Sequence, residues 1–256
     1  MEKLSLQVVK VGGAVVEDPA SLSSLLSAFA ALPGLKVLVH GGGRSATRLS
    51  EALGIESRMV AGRRVTDEKT LEVVTMVYGG LVNKRIVAGL QALGVNALGL
   101  TGADLGYMLA DKRPVGEVDY GWVGDVRSVD TSVLADLIAR GVVPVLAPLT
   151  CDGAGHLLNT NADTIAGEAA KALAERFDVT LVYCFEKKGV LSDPSDEESV
   201  IPLITRTSYS ELVASGVVAG GMVPKLDNAF SALDAGVSAV RITCTSDLDG
   251  GTTVVI

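Results

Sequence analysis

A chain of 256 residues that is 48% hydrophobic can bury a full-sized core, as one large domain or two lobes. Its 30 Asp and Glu outweigh 22 Lys and Arg, and only 4% of residues are aromatic, so it lacks the basic footprint that a nucleic-acid backbone demands. No stretch approaches the ~18 uninterrupted apolar residues of a bilayer span, the first segment is broken by Gln7 and Lys10 and lacks a signal-peptide core, and Cys151, Cys184 and Cys244 match no zinc or redox spacing, so a soluble protein of a reducing cytoplasm is expected.

Leu6–Val11 is apolar and β-branched and ends at Gly12-Gly13, the pattern of a buried strand entering a turn. Pro19–Leu32 predicts a helix, with proline at the tolerated first turn and apolar Leu22, Leu25, Leu26 and Phe29; Pro33-Gly34 stops it. Lys36–Val39 is a second strand, followed by Gly41-Gly42-Gly43 and a helix over Ser45–Leu53. Asp67–Leu93 predicts one long helix terminated by Gly94, and Asn96–Leu100 a third strand. Between Tyr107 and Val129 the pieces Met108–Ala110 and Trp122–Val126 predict hairpins laid over a main sheet. Alternation then resumes with a helix over Ser132–Arg140, the strand Val142–Leu146, a turn at Asp152-Gly153, a helix over Thr164–Arg176 and the strand Thr180–Tyr183. Asp193–Ser199 is the most disorder-prone segment. The chain finishes with a helix at Ser210–Ala214, a Gly220-Gly221-Met222 turn, a helix to Ala235, and strands Ala239–Thr243 and Thr252–Ile256. This order predicts an α/β fold, a mainly parallel central sheet sandwiched by helices with right-handed crossovers, in two lobes, 1–175 and 176–256.

Three glycine-rich turns stand at strand or helix ends: Gly12-Gly13, Gly41-Gly42-Gly43 and Gly220-Gly221. Such turns bring backbone N–H groups close to an anion. One alone is most simply a tight turn, but three in one chain, two with a lysine nearby, point to phosphate. Neither G-x-G-x-x-G nor G-x-x-x-x-G-K-[ST] is present. Lys10 lies inside an apolar strand, where an ammonium is costly without a partner. Lys225 follows the last Gly-Gly turn at a helix start, the unfavourable end of the macrodipole for a cation, and so calls for an anion. Asp163 reads either as a helix-start acid or as a carboxylate that holds ammonium groups in place. Arg64 offers a fork for a substrate carboxylate. Neither His40 nor His156 has a nucleophile at triad spacing, and no ligand cluster suggests a metal site.

Together, Lys10-Val11-Gly12-Gly13, Val39-His40-Gly41-Gly42-Gly43, Gly62-Arg63-Arg64-Val65-Thr66, Leu158-Asn159-Thr160-Asn161-Ala162-Asp163 and Gly221-Met222-Val223-Pro224-Lys225 resemble the motifs of the amino acid kinase family, in order and over nearly the whole chain. The Arg-Val-Thr and Asn-x-Asn-Ala-Asp pieces are those of its N-acetylglutamate-phosphorylating branch rather than of carbamate, aspartate or uridylate kinases. The resemblance implies ATP, with Mg2+, as phosphoryl donor and the γ-carboxylate of N-acetyl-L-glutamate as acceptor, giving an acyl phosphate for arginine biosynthesis.

It implies that Lys10 and Lys225 neutralise the phosphoryl group in transit and that Asp163 orients both. Gly12 and Gly13 would contact the ATP phosphates. Gly42 and Gly43 would bind the acceptor through backbone N–H groups, and Arg64 and Asn159 its α-carboxylate end. The nucleotide would sit on the C-terminal lobe near Glu186, Gly189 and Val218, and the N-terminal lobe would carry the acceptor and the dimer contact. The chain departs from the family pattern at Phe185-Glu186-Lys187-Lys188-Gly189, and its loop Pro194–Ser199 is long. The first strand starts within about six residues, leaving no room for the extra helix of arginine-inhibited members, so a homodimer without arginine inhibition is expected. N-succinyl-L-glutamate or another small acid as acceptor, and a non-catalytic nucleotide or amino-acid sensor, are the alternatives.

Overall fold

In the computed structural model, which describes residues 3–60, 62–185, 187–220 and 222–256, the first third of the chain runs β1 (Ser5–Val11), α1 (Gly13–Glu17), α2 (Pro19–Ala31), β2 (Leu35–His40), α3 (Gly43–Ala52), β3 (Met59–Val60) and β4 (Arg63–Arg64). Then come α4 (Glu68–Val74), a π-helical segment (Thr75–Val82), α5 (Asn83–Ala92), β5 (Ala97–Leu100), a 3-10 turn (Asp104–Gly106), β6 (Met108–Lys112) and β7 (Gly124–Val129). α6 (Thr131–Ala139), β8 (Val143–Leu146), β9 (Leu149–Cys151), β10 (Leu157–Asn159), α7 (Ala162–Leu173) and β11 (Asp178–Phe185) follow. The chain closes with β12 (Leu203–Ile204), α8 (Arg206–Ala214), α9 (Met222–Asp234), β13 (Ala239–Cys244) and β14 (Thr252–Val254).

Eight strands form one sheet in the order β12-β14-β13-β11-β1-β2-β8-β5, parallel except where β13 meets β14. Side chains alternate across a strand, and β1 shows what that does here. Leu6 and Val8 enter a core with α6, α7 and α9, through Leu134, Ile165, Ala169 and Leu226. Val9 and Val11 enter a second core on the opposite face, with Leu25 and Phe29 of α2 and Ile86 and Leu90 of α5. Both faces are therefore covered, as a parallel sheet requires, and the α/β sandwich expected from the sequence is observed.

A second sheet, β10-β9-β6-β7, contains the foreseen antiparallel hairpin of β6 and β7. Its other two strands, and the two-residue hairpin of β3 and β4, are too short to register as periodic patterns. The long helix over Asp67–Leu93 proves to be α4, the π-helical segment and α5 in succession, with Asp67 capping the start by accepting from Thr70 N at 2.7 Å. Residues 68–92 are long and apolar enough by composition to cross a membrane. Their buried side chains, including Val73, Val77, Tyr78 and Ile86, instead belong to the second core. The polar loop after β11 is a run of turns, in which Asp193 accepts from Ser195 N (2.9 Å) and Asp196 from Glu198 N (2.9 Å). Short Asp and Ser side chains make such local bonds readily, so its polarity builds turns.

Candidate active site

The parity of β1 decides where Lys10 goes: it follows Leu6 and Val8 onto the face covered by α7. At 7% exposure its ammonium needs a counter-charge, and Asp163 Oδ1 lies 2.7 Å from its Nζ. Asp163 is in the first turn of α7 but is not the cap. Asn161 is, accepting from Asp163 N at 2.8 Å and Thr164 N at 3.3 Å, which leaves the Asp163 carboxylate to face Lys10. Lys225 projects from the first turn of α9, its Nζ 3.8 Å from the centroid of the Phe185 ring; Lys10 Nζ lies 5.7 Å from the same centroid.

The first two glycine turns meet backbone to backbone. Gly41 N donates to Val11 O at 3.0 Å. A Cβ on Gly13 would stand 3.4 Å from both Gly42 N and Gly43 N, and one on Gly42 would collide with the Tyr78 ring at 2.9 Å. Only glycine fits at Gly42. The α3 start has no side-chain cap at Gly42, and one of its N–H groups, that of Ser45, donates to the Glu17 carboxylate.

Behind this turn His40 is fully buried. Asn83 Nδ2 lies 3.1 Å from its Nε2 and donates to Val145 O at 3.0 Å. An amide nitrogen only donates, so Nε2 accepts and Nδ1–H donates to Gly41 O at 2.8 Å. Burial pulls the imidazole down to about 4, and it stays neutral.

On one side of the glycine turns is a cavity of about 200 Å³ lined by Gly42, Gly43, Arg64, Tyr78, Asn159 and Thr160, among others. Arg64 donates to Ser57 Oγ, Gly43 O and Thr47 Oγ1, each at 2.8 Å. Its five N–H groups exceed these three contacts. Asn159 Nδ2 donates to Thr66 Oγ1 at 2.9 Å, and Thr66 Oγ1 donates to Arg64 O at 3.1 Å, so the predicted acceptor residues are tied into one network. Burial raises the Tyr78 phenol, opposed by the neighbouring Arg64 guanidinium.

On the other side a cleft of about 520 Å³ is lined by Gly12, Gly13, Arg44, Phe185, Gly189 and Lys225, among others. Lys187 lines it too and pairs with Glu197 at 2.8 Å, while Lys188 pairs with Glu198. Gly189 is also packed tightly, for a Cβ there would meet Thr252 Oγ1 at 2.7 Å. Val218 lies in the first core at 2% exposure and is not among the cleft's lining residues. Glu186, and Gly221 of the third glycine turn, lie outside the described residues.

The structure thus brings the first two glycine turns together between two cavities, with Arg64 and Asn159 lining one and Lys225 the other, while Lys10 pairs with Asp163 and, like Lys225, lies within about 6 Å of the Phe185 ring centroid. Sequence reasoning missed Ser57, Thr47 and Tyr78, and gave no individual role to Thr66 and Asn161, which it held only as members of their motifs. Only Asn161 carried a usable signal, as an Asn two residues before an acid at a helix start.

The profile of the amino acid kinase family matches residues 5–244. The chain is 66% identical over 251 residues to the acetylglutamate kinase of Parabacteroides distasonis, covering 98% of each chain. It is 68% identical over 241 residues to that of Bacteroides thetaiotaomicron, covering 94% of each. Among solved structures, a Streptococcus mutans protein superposes with a TM-score of 0.78 at 29% identity, covering 98% of both chains. Fold, site and sequence agree that the chain belongs to the amino acid kinase family.

Proposed function

We propose that this protein transfers the γ-phosphoryl group of MgATP to the γ-carboxylate of N-acetyl-L-glutamate, giving N-acetyl-L-glutamyl 5-phosphate and ADP in arginine biosynthesis. The observation that carries the reading is the meeting of two glycine turns between two cavities, with Lys225 lining one of them and Lys10, held by Asp163, sharing the Phe185 ring with Lys225. The acetylglutamate kinases at 66% and 68% identity support the choice of acceptor.

In this reading Arg64 and Asn159 take the α-carboxylate end, and the N–H groups of Gly42 and Gly43 take the γ-carboxylate. Gly12, Gly13 and Lys225 face the phosphates, with Gly189 further along the nucleotide side. An O–P bond forms to the carboxylate oxygen as the bond from the γ-phosphorus to the bridging oxygen of ADP breaks. The nucleophile is already ionised at neutral pH, so no general base is needed. A loose phosphoryl transition state asks for alignment and countercharge, which Lys10 and Lys225 supply. Among the described residues no group of three His, Cys, Asp or Glu side chains gathers, and the magnesium ion enters as part of the substrate MgATP. Residues 1–175 form the acceptor lobe and 176–256 the nucleotide lobe.

The exposed apolar surface supports a homodimer. Met76 and Leu81 on the π-helical segment, Leu93 after α5 and Leu98 on the edge strand β5 are all exposed, and a homodimer would cover them. Sedimentation of a Leu81→Glu variant as a monomer, against a wild-type dimer, is the expected result. The three free cysteines suit a reducing cytoplasm.

A second reading has its own observation. Arg63 and Arg113 line the acceptor cavity beside Arg64, more positive charge than an acetyl group uses, although Arg113 is paired with Asp125. N-succinyl-L-glutamate would use it. An ATP-dependent hydroxamate assay, which traps acyl phosphates, decides between them when run with N-acetylglutamate, N-succinylglutamate, free glutamate and N-acetylaminoadipate. Turnover of N-acetylglutamate is expected, and folded protein inactive on all four would overturn the assignment.

A further inference from the structure

We propose that Phe185 is a positioning residue for phosphoryl transfer, its ring face holding Lys225, and at longer range Lys10, over the phosphate cleft. The proposal rests on the reading that these two lysines act on the phosphoryl group.

Two chain segments converge on this ring, which a third carries. Lys225 comes from α9, with its Nζ 3.8 Å from the centroid; Lys10 comes from β1, at 5.7 Å. The ring itself ends β11, the strand paired directly with β1 in a register that sets Lys10 opposite Tyr183. Phe185 is two residues beyond Tyr183 and therefore shares its face. Their rings stack at 6.1 Å and 18°, so Tyr183 supports Phe185 from behind. Phe185 also lines the cleft assigned to the phosphates.

Two ammonium groups brought to one point repel each other before any phosphate arrives. Asp163 offsets the charge of Lys10. An aromatic face is negative at its centre and attracts a cation within about 6 Å, so Phe185 lowers the cost of holding both. Being neutral, the ring adds no negative charge to repel an incoming phosphate.

The test separates the ring's electrostatics from its bulk. Phe185 is replaced by 4-fluoro-, 3,5-difluoro- and 3,4,5-trifluorophenylalanine, which keep its shape while weakening the negative face in steps, and by Leu and Tyr. For each, kcat and the KM values for ATP and N-acetyl-L-glutamate are measured. The expected result is a kcat that falls stepwise with fluorination and by about 2- to 30-fold in Phe185→Leu, the range of a cation–π contact. Phe185→Tyr, which keeps the ring, keeps activity, and the acceptor KM stays constant. A kcat flat across the fluorinated series overturns the proposal, even if Phe185→Leu fails to fold. Lys225→Met serves as the control. If it abolishes transfer while the fluorinated series is flat, the lysine reading stands and the ring proposal falls; if it leaves kcat unchanged, both fall.

Discussion

The two sides of the glycine junction are built differently. On the acceptor side the charged group is buried and already bonded: Arg64 is 7% exposed and held by Ser57, Gly43 and Thr47, and Asn159 and Thr66 extend the same network. On the nucleotide side Lys187 and Lys188 form exposed pairs with Glu197 and Glu198 across a loop, and Lys225 lies over an aromatic ring. The first arrangement fixes geometry before the substrate arrives, and that favours discrimination between small acids. The second leaves cations that a triphosphate can recruit by exchanging one partner for another. Lys10 is buried like Arg64, and in the proposed mechanism it acts on the phosphoryl group.

The contrast can be broken at its strongest point first. Lys10→Met should lower kcat by about 10³-fold with little change in either KM, the loss typical of removing one transition-state donor. An ATP KM that rises at constant kcat would make Lys10 a binding residue only.

Next is the buried support of the glycine turn. The unfolded chain binds a proton on His40 near 6.5, but in the folded protein that value is pulled down to about 4. Folded protein therefore binds fewer protons in between, and its stability is complete above 6.5 and declines as pH falls toward 4. The His40 share of that loss is about 3 kcal/mol. Denaturant melts of wild-type and His40→Asn protein at pH 7 and pH 4.5 should show a shallower pH dependence in the variant; equal slopes would remove His40 from the account.

Arg64→Lys loses the planar fork while keeping the charge, and the acceptor KM should rise about 10- to 30-fold with the ATP KM unchanged. Equal rises in both would show that the two sides are not independent. The smallest effect belongs to Lys187→Ala and Lys188→Ala. Exposed pairs contribute little, so melting temperature should hold and the ATP KM should move less than about threefold, less still in high salt.

What the sequence revealed of this site was local. Lys10 stood out because a charge interrupts a strand otherwise made for burial, and strand parity then placed it on the α7 face. Asp163 and Asn159 belonged to one short segment entering a helix. The residues that complete the acceptor side come from elsewhere. Tyr78 reaches Gly42 from the π-helical segment, whose wider turn leaves no mark in a helical pattern. Ser57 and Thr47 meet Arg64 from different stretches of chain, and a lone Ser or Thr has no periodicity to reveal it. Phe185 was visible only as a departure from the family pattern; its partners became evident when β1, β11 and α9 were brought together. The fold was more legible than the site because two-residue and 3.6-residue periodicities are repeated signals, whereas each contact of a network is made once.

The most direct test is single-turnover phosphoryl transfer by Lys225→Met at saturating MgATP and N-acetyl-L-glutamate. A lysine placed for the transition state predicts a rate constant at least about 10²-fold below wild type with both substrates still bound near wild-type affinity. A wild-type rate constant with weakened ATP binding would contradict it and leave Lys225 as a tether for the bound nucleotide.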